Sequence, residues 1–75
     1  MDPQDATTLE SLSNSNPEVA RLLRLHTTYE EQLDALNRHR WLSPDEQREQ
    51  KRLKRLKLAG RDRLASILAE TRATA

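Results

Sequence analysis

Residues 43–46, Ser-Pro-Asp-Glu, decide the fold of this chain. A serine side chain accepts free N–H groups at a helix start, proline suits the first helical position, and acids favour the positive end of the helix dipole. Glu46 follows Ser43 by three residues, which is the spacing of a reciprocal capping box. The segment therefore predicts that a helix begins at Pro44.

A similar start signal occurs earlier in the chain. Residues 16–18, Asn-Pro-Glu, place a capping side chain, a proline and an acid in the same order. The helix that begins there must end before Pro44, because a proline pushes the preceding residue out of helical geometry. We predict a hairpin domain over residues 17–72, with helices at about 17–40 and 44–71 and a turn at about 41–43.

Both predicted helices carry an apolar stripe at gaps of three and four residues, the repeat of a coiled-coil seam. The stripe consists of Val19, Leu22, His26, Tyr29, Leu33 and Leu36 in the first helix, and of Leu53, Leu56, Gly60, Leu64 and Ile67 in the second. Two long helices joined by a short turn run antiparallel. The predicted fold class is therefore all-α, an antiparallel two-helix coiled-coil hairpin.

One register, mirrored about residue 43, aligns both stripes and places His26 opposite Gly60. A glycine inside a helix costs about 1 kcal/mol relative to alanine. We interpret Gly60 as leaving room for the rings of His26 and Tyr29. The alternative is that Gly60 ends one helix and that another begins at Arg61.

The first sixteen residues offer few apolar groups. After Met1 only Leu9 and Leu12 are large and apolar, too few to offset the entropy of ordering the segment. We predict that residues 1–16 form a mobile polar and acidic tail. The alternative is a short helical turn around Leu9 and Leu12 that docks on the hairpin.

Several apolar residues fall outside the seam, and one seam buries little apolar surface relative to the entropy of ordering two helices. We therefore predict a homodimer with a four-helix arrangement. The candidate partner or dimer surface consists of Leu23, Leu25, Trp41, Leu42, Leu58 and Leu68. The alternative is that they are scattered surface residues, which is normal for single apolar side chains.

Positive charge is concentrated in the second predicted helix, although the net charge of the chain is only +1. Lys51, Lys54 and Arg55 share a helical face and form a candidate basic contact face for nucleic acid. The alternatives are an ordinary solvated face, or contact with an acidic protein or with the acidic tail.

The sequence argues against several classes of function. There is no cysteine, and His26 and His39 lie far apart, so we predict no metal site and no cofactor. A two-helix hairpin has no natural cavity, and we predict no catalytic residues and no enzyme. No four apolar residues are consecutive and the first residues are acidic, so we expect a cytoplasmic protein without membrane contact.

His26 has two interpretations. A seam histidine can pack on Tyr29 and bond a carboxylate or water, or it can act as a pH switch that weakens association once it is protonated. We prefer the first interpretation.

Part of the chain resembles a known family. The resemblance lies in Leu22, His26, Tyr29, Glu30, Leu33 and Leu36, followed by Leu53, Lys54, Lys57, Leu58, Arg61, Asp62, Leu64 and Leu68. This pattern resembles the YdcH-like family of small bacterial proteins of unknown function over about residues 17–68. The chain departs from the family at Leu56, Gly60 and Arg61. The resemblance implies a helical hairpin and no established activity.

These observations favour a non-enzymatic protein–protein interaction module built on a self-associating coiled-coil hairpin. The alternative function is a small nucleic-acid-associated protein that uses the basic face of the second helix.

Overall fold

The computed structural model describes residues 3–74, and this part of the chain contains three helices and no strand. They are α1 (Pro3–Ser13), α2 (Pro17–Asn37) and α3 (Pro44–Thr74). The predicted all-α class is confirmed. The chain is not a bare two-helix hairpin, however, because α1 adds a third helix to the antiparallel pair of α2 and α3.

The start of α2 follows the predicted capping signal. The side-chain oxygen of Asn16 accepts hydrogen bonds from the backbone N–H groups of Glu18, at 3.0 Å, and Val19, at 3.3 Å. These bonds satisfy donors that have no partner within the first helical turn. The helix ends at Asn37, three residues earlier than expected, and the N–H of Arg38 bonds the Asp34 carbonyl at 3.2 Å.

The start of α3 has the predicted reciprocal capping box. The N–H of Glu46 donates to the Ser43 hydroxyl at 3.1 Å, and the N–H of Ser43 donates to the Glu46 carboxylate at 3.0 Å. The helix then runs from Pro44 to Thr74 without interruption. The alternative of a helix end at Gly60 is therefore wrong.

The interpretation of Gly60 as space for two rings is also wrong. A Cβ added to Gly60 would meet no atom within 4 Å, and its φ is not positive. His26 and Tyr29 line the same shallow cavity of about 180 Å³ as Gly60, and neither ring fills the space above it. Packing within the chain thus gives no reason for a glycine at this position.

The predicted register is close to the observed one. The side-chain amide of Gln50 donates to the Asn37 side chain at 3.1 Å, and Lys57 Nζ lies 3.3 Å from a Glu30 carboxylate oxygen. Six of the predicted seam residues are buried, namely Val19, Leu22, Leu33, Leu53, Leu64 and Ile67. The other five are half-buried, namely His26, Tyr29, Leu36, Leu56 and Gly60.

The N-terminal segment is a docked helix, and the prediction of a mobile tail is wrong for the described residues 3–16. Leu9 is only 1% exposed and belongs to the main core cluster, and Leu12 packs against that cluster. Two leucines suffice because Leu23 and Leu68 also join this cluster and complete a shared core. Met1 and Asp2, the first two residues of the predicted tail, lie outside the described part of the chain.

The connection between α1 and α2 is tight. The N–H groups of Ser15 and Asn16 both donate to the Leu12 carbonyl, at 3.0 and 2.8 Å. At the other end of α1, the Asp5 carboxylate pairs with the Arg72 guanidinium of α3. These contacts place α1 over the end of the hairpin that lies far from the turn. Among residues 3–74, no helix has both the length and the apolar composition needed to cross a bilayer.

Candidate functional site

The predicted off-seam surface is divided between the core and the solvent. Leu68 is 5% exposed and Leu23 is half-buried, because both pack in the cluster that α1 completes. Assigning Leu68 to a surface for another chain was therefore wrong, whereas Leu23 also lines the cavity beside α1. Trp41, at 80% exposed, and Leu58, at 56%, remain in solvent, whereas Leu25 and Leu42 are half-buried.

The groove between α2 and α3 stays open where α1 does not cover it. A cavity of about 530 Å³ there is lined by Glu30, Leu33, Asp34, Asn37, Lys54, Lys57, Leu58 and Arg61. We call these residues the open groove. A second cavity of about 480 Å³ shares Glu30, Lys57 and Arg61 with it and is also lined by residues of α1. The accessible surface therefore continues from α1 to the open groove.

The two edges of the open groove carry opposite charges. Glu30 and Asp34 come from α2, and Lys54, Lys57 and Arg61 come from α3. The Lys57 ammonium holds the pKa of the Glu30 carboxyl below its usual value, His26 acts in the same direction, and partial burial opposes both. Within residues 3–74, Asp34, Lys54 and Arg61 have no ion-pair partner, so these charges are available to another molecule.

His26 lies beside Glu30, which lines the open groove. Its Nε2 lies 2.9 Å from a Glu30 carboxylate oxygen, while its buried Nδ1 has no hydrogen-bond partner in the described residues. Because a carboxylate only accepts, the neutral ring carries its proton on Nε2 and leaves an acceptor on Nδ1. That acceptor is covered by protein, so it is inaccessible to a substrate in this conformation.

One stripe of cations on α3 is paired with carboxylates. Arg48, Arg52 and Arg63 each pair with a carboxylate, with Arg52 at 2.7 Å from Glu49 and Arg63 at 2.8 Å from Glu18. Their hydrogen bonds to these acids hold the pKa values of both carboxyls below the usual value.

The predicted basic contact face consists of unpaired cations. Lys51, Lys54 and Arg55 are exposed, and none has an ion-pair partner within residues 3–74. On an ideal helix Lys54 projects toward the groove, like Arg61, whereas Lys51 and Arg55 lie on the outer face of α3. The three residues that were predicted to share a face are therefore divided between the groove and the outer face, and none of their charges is neutralised.

The turn that joins α2 to α3 is braced by side-chain hydrogen bonds. We call residues 38–43 the tip. His39 Nδ1 lies 2.7 Å from a Glu46 carboxylate oxygen, and the Gln47 side-chain amide donates to the Leu42 carbonyl at 3.2 Å. Hydrogen bonds from Ser43, backbone first, and from His39 hold the pKa of the Glu46 carboxyl below its usual value. These contacts fix the turn to the first turns of α3.

Three of the exposed side chains of the tip have no partner among the described residues. They belong to Arg38, Arg40 and Trp41, and none makes a hydrogen bond or ion pair to another described residue. Trp41 was predicted to lie on the partner surface, but Arg38 and Arg40 beside it were not predicted to belong to any site. The run Arg-His-Arg-Trp at residues 38–41 was the available signal.

The described residues contain no group of three or more His, Asp or Glu side chains that could hold a metal ion. Comparison of the chain with models of protein families, with curated proteins and with solved structures finds no match. The resemblance to the YdcH-like family therefore stays a prediction from the sequence.

Proposed function

We propose that the chain is a non-enzymatic protein–protein interaction module that binds a second copy of itself through the open groove. The observation that carries this proposal is the groove itself, which half-exposed Leu58 lines and whose two edges carry opposite charges. Apolar surface flanked by unpaired charges is typical of a protein interface.

The shape of the molecule favours one arrangement of two copies. Helix α1 and the open groove lie on the same face of the molecule. Helix α1 protrudes at one end of this face, and the open groove occupies the other end. If two copies pack face to face with their tips at opposite ends, each α1 lies against the open groove of the other copy. If the tips lie at the same end, the two α1 helices meet and hold the grooves apart.

Charge supports the same arrangement. Helix α1 contains the acids Asp5 and Glu10 and no basic residue, and Asp5 already pairs with Arg72. Glu10 of one copy would then face Lys54 and Arg61 of the other. Such a contact is isologous, since each copy uses the same surface, and it closes as a dimer.

The size of the molecule permits an interface of ordinary area. An interface of ordinary size buries about 800 Å² on each partner. The molecule measures 48 × 22 × 16 Å, so its broad face exceeds that area. This dimer contains six helices rather than the four predicted from the sequence, because α1 forms part of the interface.

The test is the molecular mass in solution, measured by analytical ultracentrifugation across micromolar concentrations. We expect a dimer for the native chain and a monomer for Leu58→Glu. The matched control is Ser66→Glu, which adds the same charge to exposed α3 surface outside the groove. Circular dichroism checks that each variant remains helical.

A charge exchange tests the arrangement of the two copies. Lys54→Glu should weaken the dimer, and adding Glu10→Lys should restore it. Glu10 and Lys54 line different cavities within one chain, so restoration requires contact between copies. A native chain that stays monomeric, or equal masses for Leu58→Glu and Ser66→Glu, would contradict the proposed interface.

A further inference from the structure

We propose that the tip and the outer face of α3, which carries Lys51 and Arg55, bind single-stranded nucleic acid. In this proposal Trp41 stacks on an unpaired base, and Arg38, Arg40, Lys51 and Arg55 contact phosphates. This surface is separate from the open groove, so the proposal does not depend on dimerisation.

The first argument is the rigid presentation of Trp41. The residues around it are fixed by the His39–Glu46 contact, the bond from Gln47 to the Leu42 carbonyl, and the capping box. The indole itself is 80% exposed. An aromatic ring on a braced turn loses little freedom when it binds, which favours stacking on a flat ligand.

The second argument is the surplus of free positive charge. Residues 38–61 contain nine basic and three acidic residues, a net charge of +6, whereas the whole chain carries +1. All three acids of this segment are already engaged: Asp45 with Arg48, Glu46 with His39, and Glu49 with Arg52. No unpaired carboxylate of this segment therefore opposes a phosphate.

The third argument is that the unpaired cations of α3 continue along the helix from the tip. On an ideal helix Lys51 lies about 10 Å and Arg55 about 16 Å along the axis from Pro44. A strand with one base on Trp41 could therefore follow Lys51 and Arg55 away from the tip. Cations that track a backbone beside a stacking aromatic are the usual elements of a single-strand site.

Two other ligands fit the surface less well. In a duplex the bases are already stacked on each other, so the indole gains a partner only from an unpaired base. Membrane binding grows with buried apolar area, and the tip exposes one large apolar side chain, Trp41, beside half-buried Leu42.

The experiment uses the single tryptophan of the chain as the reporter. The full chain is titrated with an oligothymidylate of about 12 nucleotides, a length within the range of known single-strand sites. Parallel titrations use a duplex of the same length and vesicles that contain phosphatidylserine. We expect quenching of the Trp41 emission by the single strand at concentrations where the duplex and the vesicles have little effect.

Salt dependence measures the number of phosphate contacts. Four cations on a single strand predict a slope of about −3 for log K against log salt, or about 50-fold weaker binding at 200 mM than at 50 mM salt. Lys51→Gln with Arg55→Gln should make this slope shallower by about 1.4. The paired-cation control, Arg52→Gln with Glu49→Gln, removes a whole ion pair, frees no carboxylate and should leave the slope unchanged.

Stacking is tested with a labelled oligonucleotide, whose anisotropy does not depend on tryptophan. Trp41→Leu should weaken binding by about 5- to 150-fold, and Trp41→Phe should restore part of the loss.

The proposal is overturned if the single strand does not bind at 50 mM salt, or if Trp41→Leu binds like the native chain. It is equally overturned if the paired-cation control loses as much affinity, or if only the vesicles bind. The dimer is tested by mass and this site by anisotropy, so a monomeric chain that binds the oligonucleotide, or a dimeric chain that does not, distinguishes failure of the dimer from failure of this site.

Discussion

Replacing Gly60 by alanine should stabilise the protein. Gly60 lies in the interior of a continuous helix, its φ is not positive, and a new Cβ would meet no atom within 4 Å. The substitution therefore adds no clash and removes the conformational cost of a helical glycine, which is about 1 kcal/mol. At an unfolding entropy of about 2.1 cal/mol/K per residue, this gain raises the Tm of a 75-residue chain by about 6 °C.

The assay is thermal and urea unfolding followed by circular dichroism, with each variant made in the Leu58→Glu background, which we expect to be monomeric. Gly60→Ala should raise the urea midpoint without changing the m value, because the surface exposed on unfolding stays almost the same. Ala65→Gly is the matched control at an exposed position of the same helix, and it should lower the Tm by a similar amount. An unchanged or lower Tm for Gly60→Ala would refute the reasoning and revive the interpretation that the rings of His26 and Tyr29 need the space.

Two further predictions concern α1 and acid stability. Leu9→Ala should lower the free energy of unfolding by about 2–5 kcal/mol, because the side chain is buried in the core cluster. Exposed Ser11→Ala should change it little, and equal urea midpoints for the two variants would show that α1 is not docked. Acid should also destabilise the fold, because four carboxyls have lowered pKa values, those of Glu18, Glu30, Glu46 and Glu49. Their contribution is present above the ordinary value of 4.5 and is lost as pH falls through the lower folded values, so the Tm should decline below about pH 4.5. Glu18→Gln should remove part of that decline, and a Tm that stays constant down to about pH 3 would contradict the role of these carboxyls.

The features that the sequence predicted correctly depend on neighbouring residues. Both capping signals act over three residues, so Asn16 and Ser43 could be recognised without knowledge of the rest of the fold. The antiparallel register followed from two stripes that had to face each other across a short turn.

The features that the sequence missed depend on distant contacts. Leu9 becomes a core residue because it joins a cluster with residues of α2 and α3, at separations that no local pattern reveals. The space above Gly60 depends on where the neighbouring rings lie. The Arg63–Glu18 pair joins two helices, so the separation of paired from unpaired cations on α3 required coordinates.

The ion pair between Asp5 and Arg72 brings the first and last turns of the described chain together. A short linker could therefore join the last turn of α3 to the first turn of α1, and new termini could be opened in the connection near Asn14, which is exposed. In such a circular permutant α1 would follow α3 in the chain instead of preceding α2. The position of α1 rests on its leucines and this ion pair, so the order of the three helices along the polypeptide is free to change while their packing is kept.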